Sequence, residues 1–100
     1  MQFIIIAHDH PDALERRMAA RPAHLALIET MKAEGKVLYA AAILNEQQQM
    51  AGTMLVCEFS DEEAIKTYFA VEPYVLNRVW GDVKATACKV SPMFAPQQAA

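Results

Sequence analysis

Phe3-Ile4-Ile5-Ile6-Ala7 is an apolar, largely β-branched run near the start of the chain, and it predicts a strand. Successive side chains of a strand point to opposite faces of a sheet, so a strand with one wet face alternates between apolar and polar residues. This run does not alternate, because Ile4 and Ile6 are as apolar as the residues between them. The sequence therefore predicts a sheet that is buried on both faces.

Turn and cap residues divide the rest of the chain into short elements. Helical sequence begins at Pro11 or Asp12 and continues through Met18; Pro22 restarts it as far as Glu34, before the stop at Gly35. Next come strand Val37–Leu44, strand Thr53–Phe59, a helix with the capping box Ser60-Asp61-Glu62-Glu63, a short helical turn and strand Asp82–Val90. The order strand, helix, strand, strand, helix, strand predicts an α+β ferredoxin-like fold with an antiparallel sheet.

The length of 100 residues predicts one domain over residues 1–100, with residues 91–100 as an extended C-terminal tail. A domain of this size buries only roughly two thirds of the surface of its unfolded chain. The third predicted strand is also apolar on both faces, since Met54 and Val56 alternate with Leu55 and Cys57. These observations predict a homodimer in which a two-fold axis brings the second sheet face against its copy. The alternative is a central strand that tolerates an apolar face.

Composition excludes several classes of function. The net charge is −3 and no basic stripe is visible, which argues against nucleic-acid binding. The first apolar run is too short for a membrane span and has no basic residues before it, so we expect a cytoplasmic protein with no membrane partner. With three glycines, the chain has neither a phosphate-binding loop nor a dinucleotide fingerprint, and we expect no cofactor.

The cysteines and paired histidines do not form a metal-binding pattern. Cys57 and Cys88 lie within predicted strands without metal-ligand spacing, which predicts two buried thiols rather than a disulfide or a zinc site. His8 and His10 have no third ligand at suitable spacing. The sequence therefore predicts no metal site.

The segment Arg21-Pro22-Ala23-His24 places an ionisable ring on a predicted helix. Leu27, Ile28 and Met31 follow His24 at helical spacings, so His24 lies on the stripe that faces the core. With Pro22 as the first helical residue, the ring lies among free amides at the positive helix end, which favours the neutral imidazole that accepts a proton. The alternative is a core histidine whose hydrogen bonds are satisfied.

The chain resembles the YCII-related family in three stretches: Arg17-x-x-x-Arg21-Pro22-Ala23-His24-Leu25, Glu34-Gly35-Lys36 and Pro73-Tyr74. The likeness extends to about Val90. It implies a small ferredoxin-like protein that forms a dimeric α/β barrel. It also implies a catalytic pair of His24 with the acidic residue before Pro-Tyr, which is Glu72 here and usually Asp in the family.

Four further residues are candidates for substrate binding. Arg17 and Arg21 carry forked donors that match an anionic or phenolate oxygen, although Arg17 is equally suited to a solvated helix face. Tyr74 offers a hydroxyl to a pocket or packs as a half-buried aromatic. Asp9 falls at an acidic position that recurs in the family, where it either lines the cleft mouth or caps the next helix.

Two classes of function remain open. The first is a cofactor-free enzyme in which the His24–Glu72 pair performs general acid–base chemistry on a small aromatic or quinone-like compound. One branch of the family eliminates chloride from chlorinated hydroxyhydroquinones, so the resemblance implies a dehydrochlorinase or related lyase. The second class is a non-catalytic dimer that binds a small ligand or serves as an accessory protein.

Overall fold

A computed structural model describes residues 1–94, and it contains a four-stranded antiparallel sheet with three helices. The elements are β1 (Gln2–Asp9), α1 (Leu14–Ala33), β2 (Val37–Leu44), β3 (Met50–Glu58), α2 (Glu62–Phe69), α3 (Pro73–Leu76) and β4 (Trp80–Cys88). The strand order in the sheet is β2-β3-β1-β4, with every neighbouring pair antiparallel. The predicted ferredoxin-like α+β fold is confirmed.

The two central strands, β1 and β3, separate a buried face from an open one. Phe3 pairs with Cys57 and Ile5 with Leu55 on the buried face, where all four residues belong to the core. The other face carries Ile4, Ile6, Met54 and Val56, which remain partly or largely exposed in a single chain. We call these four residues the open sheet face. The two-sided apolar pattern of the sequence therefore reflects one covered face and one uncovered apolar face.

The helix α1 is continuous, so the predicted restart at Pro22 is wrong. Pro22 lies inside the helix and cannot donate a hydrogen bond to the carbonyl of Met18, a defect that costs about 3 kcal/mol in a helix interior. The buried residues of the helix lie on one stripe that crosses the proline: Arg17, Ala20, His24, Ile28 and Met31. We infer that packing of this stripe against the sheet outweighs the cost of the missing bond.

The continuity of α1 also corrects the surroundings of His24. The ring lies in the middle of a 20-residue helix rather than among free amides at its positive end. The helix terminus therefore cannot set its protonation, because that effect falls off within the first turn.

Element boundaries differ from the predictions by a few residues. Strand β3 begins at Met50 instead of Thr53, and β4 begins at Trp80 instead of Asp82. Helix α2 is capped by Asp61, whose Oδ1 accepts the backbone N–H of Ala64 at 2.9 Å. Each shift is local and leaves the order of elements unchanged.

The cysteines and the end of the chain differ in part from the predictions. Cys57 is buried, and burial raises the pKa of its thiol to about 12, whereas Cys88 is only partly buried. The prediction of two buried thiols therefore holds for Cys57 alone.

Of the predicted tail, residues 91–94 form a turn in which the Phe94 N–H donates to the Ser91 carbonyl at 2.8 Å, and residues 95–100 lie outside the described part. Among the described helices, none combines the length and the apolar character needed to cross a membrane.

Candidate active site

A cavity of about 180 Å³ lies between α1 and β2, and we call it the α1–β2 cavity. Helix α1 contributes Arg17, Arg21 and His24 to its lining. The facing wall of β2 consists of alanines 40–42, whose small side chains leave the space open. Thr53 of β3 and Tyr74 of α3 also line the cavity. Four of the six predicted site residues thus share one cavity.

His24 and Glu72 are in direct contact beside this cavity. The ring Nδ1 lies 2.6 Å from Glu72 Oε1, and the two residues are 5% and 0% exposed. Glu72 is the N-cap of α3, and its Oε1 also accepts the backbone N–H of Tyr74 at 3.0 Å. Its Oε2 accepts a hydrogen bond from the Tyr68 hydroxyl. Three hydrogen-bond partners therefore surround one buried carboxylate, and both of its oxygens are satisfied.

This arrangement fixes the tautomer of His24. The Glu72 carboxylate already accepts two other hydrogen bonds and has no proton to donate, so its contact with Nδ1 requires that Nδ1 carries a proton. The neutral ring therefore has its lone pair on Nε2. Nε2 makes no hydrogen bond within residues 1–94, and it is not among the described side-chain atoms that are sealed from solvent without a partner. The lone pair is therefore available to a ligand in the α1–β2 cavity.

Aromatic rings hold the imidazole in place. Tyr74 stacks on His24 with 4.0 Å between ring centroids and 17° between planes, and Trp80 meets the same ring edge-on at 6.3 Å. Burial raises the pKa of Tyr74, and the neighbouring Arg17 and Arg21 oppose that rise. The Tyr74 hydroxyl consequently keeps its proton at neutral pH and can donate it to an oxygen of a ligand.

Arg17, which lines the cavity, forms a buried ion pair with Asp9. Arg17 Nη1 lies 3.0 Å from Asp9 Oδ1, and the two side chains are 3% and 6% exposed. Burial raises the pKa of the Asp9 carboxyl, whereas the Arg17 guanidinium acts to lower it. The guanidinium also donates to Thr53 Oγ1 at 2.9 Å and lies 4.6 Å from the centroid of the Tyr74 ring. Arg17 is therefore enclosed by protein partners rather than placed on a solvated helix face.

The other two predicted substrate contacts lie differently. Asp9 is absent from the lining of the α1–β2 cavity and does not cap α1, whose N-cap is Ala13. Arg21 is half-buried on the cavity wall and makes no ion pair or side-chain hydrogen bond within the described 94 residues. Of the two arginines on the cavity wall, Arg21 is the one whose donors have no protein partner in the described residues.

Comparison with known proteins assigns the chain to a family. The model of the YCII-related domain matches residues 1–89. The chain belongs to the YCII-related family. An uncharacterized protein of Haemophilus influenzae is 36% identical over 89 residues, covering 83% of this chain and 91% of that protein. Protein YciI of Escherichia coli is 33% identical over 95 residues, covering 89% and 97% of the two chains.

Solved structures share the fold of this YCII-related protein. The 5-chloro-2-hydroxyhydroquinone dehydrochlorinase TftG of Burkholderia phenoliruptrix, in complex with 2,5-dihydroxybenzoquinone, superposes with a TM-score of 0.82 at 22% identity, covering 93% of this chain and 98% of that one. An antibiotic biosynthesis monooxygenase superposes with a TM-score of 0.54 at 15% identity, covering 91% and 98%. At these identities the superpositions establish the fold of the YCII-related chain and not its activity.

The structure adds three residues to the site that sequence reasoning did not place there: Thr53, Tyr68 and Trp80. Thr53 Oγ1 accepts hydrogen bonds from Arg17 and from Trp80 Nε1, the latter at 3.2 Å. Its own hydroxyl proton therefore points away from both donors. The sequence carried a signal for this residue, because Thr53 is a polar member of the alternating set that includes Leu55 and Cys57. Within the described range, the YCII-related protein contains no group of three or more potential metal ligands.

Proposed function

We propose that this YCII-related protein is an enzyme in which His24 acts as a general base on a small aromatic or quinone-like compound, without a bound cofactor. The observation that carries the proposal is the contact of the buried His24 and Glu72, which leaves Nε2 available to the α1–β2 cavity. A histidine needed only for packing would require no such accessible lone pair.

The roles of the residues follow from their contacts. Nε2 of His24 takes a proton from a substrate O–H or C–H, and Glu72 stabilises the resulting imidazolium through the Nδ1–H bond. Arg21 and the Tyr74 hydroxyl stabilise the negative charge that develops on a substrate oxygen. Asp9 acts without contacting the substrate. It orients Arg17, and Arg17 in turn contacts Thr53 and the Tyr74 ring.

The size of the cavity limits the substrate. An apolar cavity of about 150 Å³ is large enough to bind benzene, so a cavity of about 180 Å³ suits one ring with few substituents. A chlorinated hydroxyhydroquinone, the substrate class named for TftG, is of this size. We infer a dehydrochlorination or a related lyase reaction. The base removes a hydroxyl proton, the electron pair of that bond forms a ring carbonyl, and the ring carbon that carries chlorine takes up a proton. Loss of a second hydroxyl proton then forms a second carbonyl and expels chloride with the electrons of the C–Cl bond. The net change is loss of HCl, which requires no oxidant.

A second candidate function is ligand binding without turnover, in a small-ligand-binding or accessory dimer. Arg21 and Tyr74 can hold an anionic oxygen whether or not a proton is transferred. The two candidates differ only in what happens to the compound after it binds.

A conversion screen tests the proposal. The purified protein is incubated with hydroxyquinones, chlorinated phenols and muconolactone-like compounds, and chloride release and product formation are measured beside thermal shift. We expect conversion of at least one compound by the unmodified protein and conversion about 10²- to 10⁴-fold less efficient by the His24→Asn variant. Thermal shifts without conversion across the set would leave only the ligand-binding function.

We also propose that the open sheet face packs against the same face of a second copy. A chain of 100 residues has a small core, and its central strands carry large apolar side chains on the face that this core leaves open. Ile4 pairs with Val56 and Ile6 with Met54, so the four side chains form one continuous patch. A two-fold axis makes such a patch complementary to itself.

The expected result is a species of twice the 11.1 kDa chain mass in sedimentation equilibrium. Val56→Glu places a charge in the centre of the patch and is expected to shift the population to monomer. Val71→Glu introduces the same charge at an exposed position after α2 and is expected to leave the dimer intact. A monomer in the unmodified protein, or a dimer that withstands Val56→Glu, contradicts the proposal.

A further inference from the structure

We propose that Tyr68 is a positioning residue of the candidate site, which controls the proton affinity of the His24–Glu72 pair through its hydrogen bond to the second carboxylate oxygen of Glu72. This inference rests on the proposed function, because it concerns the strength of the base on which that function depends.

Two contacts connect Tyr68 with Glu72. The side-chain hydroxyl donates to Glu72 Oε2, and the backbone carbonyl accepts the Glu72 N–H at 3.1 Å. The Tyr68 ring is 4% exposed and packs against Phe59 and Phe69, with ring centroids 6.1 Å and 5.5 Å away. Because ring and backbone are both held, the hydroxyl has a fixed position relative to the carboxylate. The bond therefore orients Glu72 so that Oε1 faces Nδ1 of His24.

Tyr68 acts only through Glu72. It is absent from the lining of the α1–β2 cavity and instead borders a separate groove between α1 and α2. A ligand beside His24 consequently does not touch the Tyr68 hydroxyl. Burial, with Glu72 as the next contributor, raises the pKa of Tyr68 above its usual range, so the hydroxyl remains a donor at any working pH.

The consequence concerns the charge of the pair. When His24 is neutral and Glu72 ionised, the pair carries one negative charge in buried surroundings, and the Tyr68 hydroxyl stabilises that charge. Without this donor, the pair takes up its proton at a higher pH. A hydrogen bond to a charged group corresponds to roughly 1 to 2 pH units, and because Glu72 stays ionised when the ring takes the proton, only a part of this, up to roughly 1 pH unit, reaches His24.

Other charged or titratable groups lie around the two tyrosines that contact the pair, and they are unchanged when Tyr68 is altered. Cys57 on β3 acts on Tyr68, and Arg17 and Arg21 on α1 and Asp9 on β1 act on Tyr74, the two tyrosines that contact the pair. A shift in the titration of His24 after a change at Tyr68 is therefore attributable to the lost donor.

The test is Tyr68→Phe, which removes the hydroxyl and keeps the ring. The protonation of His24 is followed by NMR of its Cε1–H signal, identified by its loss in His24→Asn, and the activity of any compound found to be converted is measured against pH. We expect the His24 midpoint and the acid limb of kcat/KM to rise together by up to roughly 1 pH unit. Tyr39→Phe, which removes a hydroxyl from a tyrosine that is 64% exposed, is the matched control and is expected to leave the midpoint unchanged.

A folded Tyr68→Phe protein with an unchanged His24 midpoint would overturn the inference. If that variant does not fold, the unmodified protein decides: we expect a slowly exchanging Tyr68 hydroxyl proton whose NMR signal shifts with the same midpoint as His24. A hydroxyl signal that exchanges rapidly or ignores the His24 titration would overturn the inference equally. Both NMR measurements need no substrate, so a failed conversion screen affects the proposed function without affecting this result.

Discussion

Replacing His24 by Asn is expected to lower kcat/KM by about 10²- to 10⁴-fold while the protein remains folded. The Asn amide nitrogen can occupy the place of Nδ1 and still donate to Glu72, so the buried carboxylate keeps its partner. The same change removes Nε2, the ring nitrogen without a hydrogen-bond partner in residues 1–94, and with it the proton acceptor that we propose. The measurements are kcat/KM on a compound found in the conversion screen and the melting temperature of both proteins.

The choice of Asn separates catalysis from packing. His24→Ala would leave Glu72 fully buried with one donor fewer, and the resulting loss of stability would follow whether or not His24 is a base. His8→Asn is the matched control, because His8 is an exposed residue near the end of β1. Activity of His24→Asn within a few-fold of the unmodified protein would contradict a general-base role.

The order of elements could be predicted because each boundary carries a local signal. Gly35 ends α1 with a positive φ of 77°, and Asp61 caps α2 with its side chain. The prediction failed at Pro22, where the local signal for a helix start competes with packing at a distance. The stripe formed by Arg17, Ala20 and His24 keeps its helical spacing across the proline, and that continuity was the better indicator of the native helix.

The site was less predictable than the fold. His24 and Glu72 lie 48 residues apart, and no periodicity connects them; only the resemblance to the YCII-related family suggested the pair. Arg17 was ambiguous because a charged side chain becomes buried only when a partner such as Asp9 lies opposite, and strand positions cannot be paired with helix positions from sequence alone. Tyr68 stands four residues before Glu72, but the chain leaves the helix between them, so helical spacing gave no reason to connect them.

Replacing Arg17 by Met is expected to lower the free energy of unfolding by about 3 to 5 kcal/mol at neutral pH, the cost of leaving a buried charge without its partner. Asp9 would remain only 6% exposed or force the strand end open, and Thr53 would lose a donor. The measurement is chemical unfolding at one fixed protein concentration. Arg16→Met is the matched control, because Arg16 is exposed and its bonds to backbone carbonyls are solvated, so we expect about 1 kcal/mol or less.

The pH dependence of this loss identifies Asp9 as its cause. Burial already raises the pKa of Asp9, and removing Arg17 takes away a contribution that lowers it, so the pKa rises further in the variant. A carboxyl with a raised pKa in the folded state favours folding at low pH and opposes it as the pH rises through that pKa. The deficit of Arg17→Met is therefore expected to shrink between pH 7 and pH 4. Removing both charges in Asp9→Leu/Arg17→Met is expected to cost less than Arg17→Met alone at pH 7, since no unpaired ion remains. A deficit that is independent of pH and undiminished in the double variant would show that Arg17 contributes packing rather than charge.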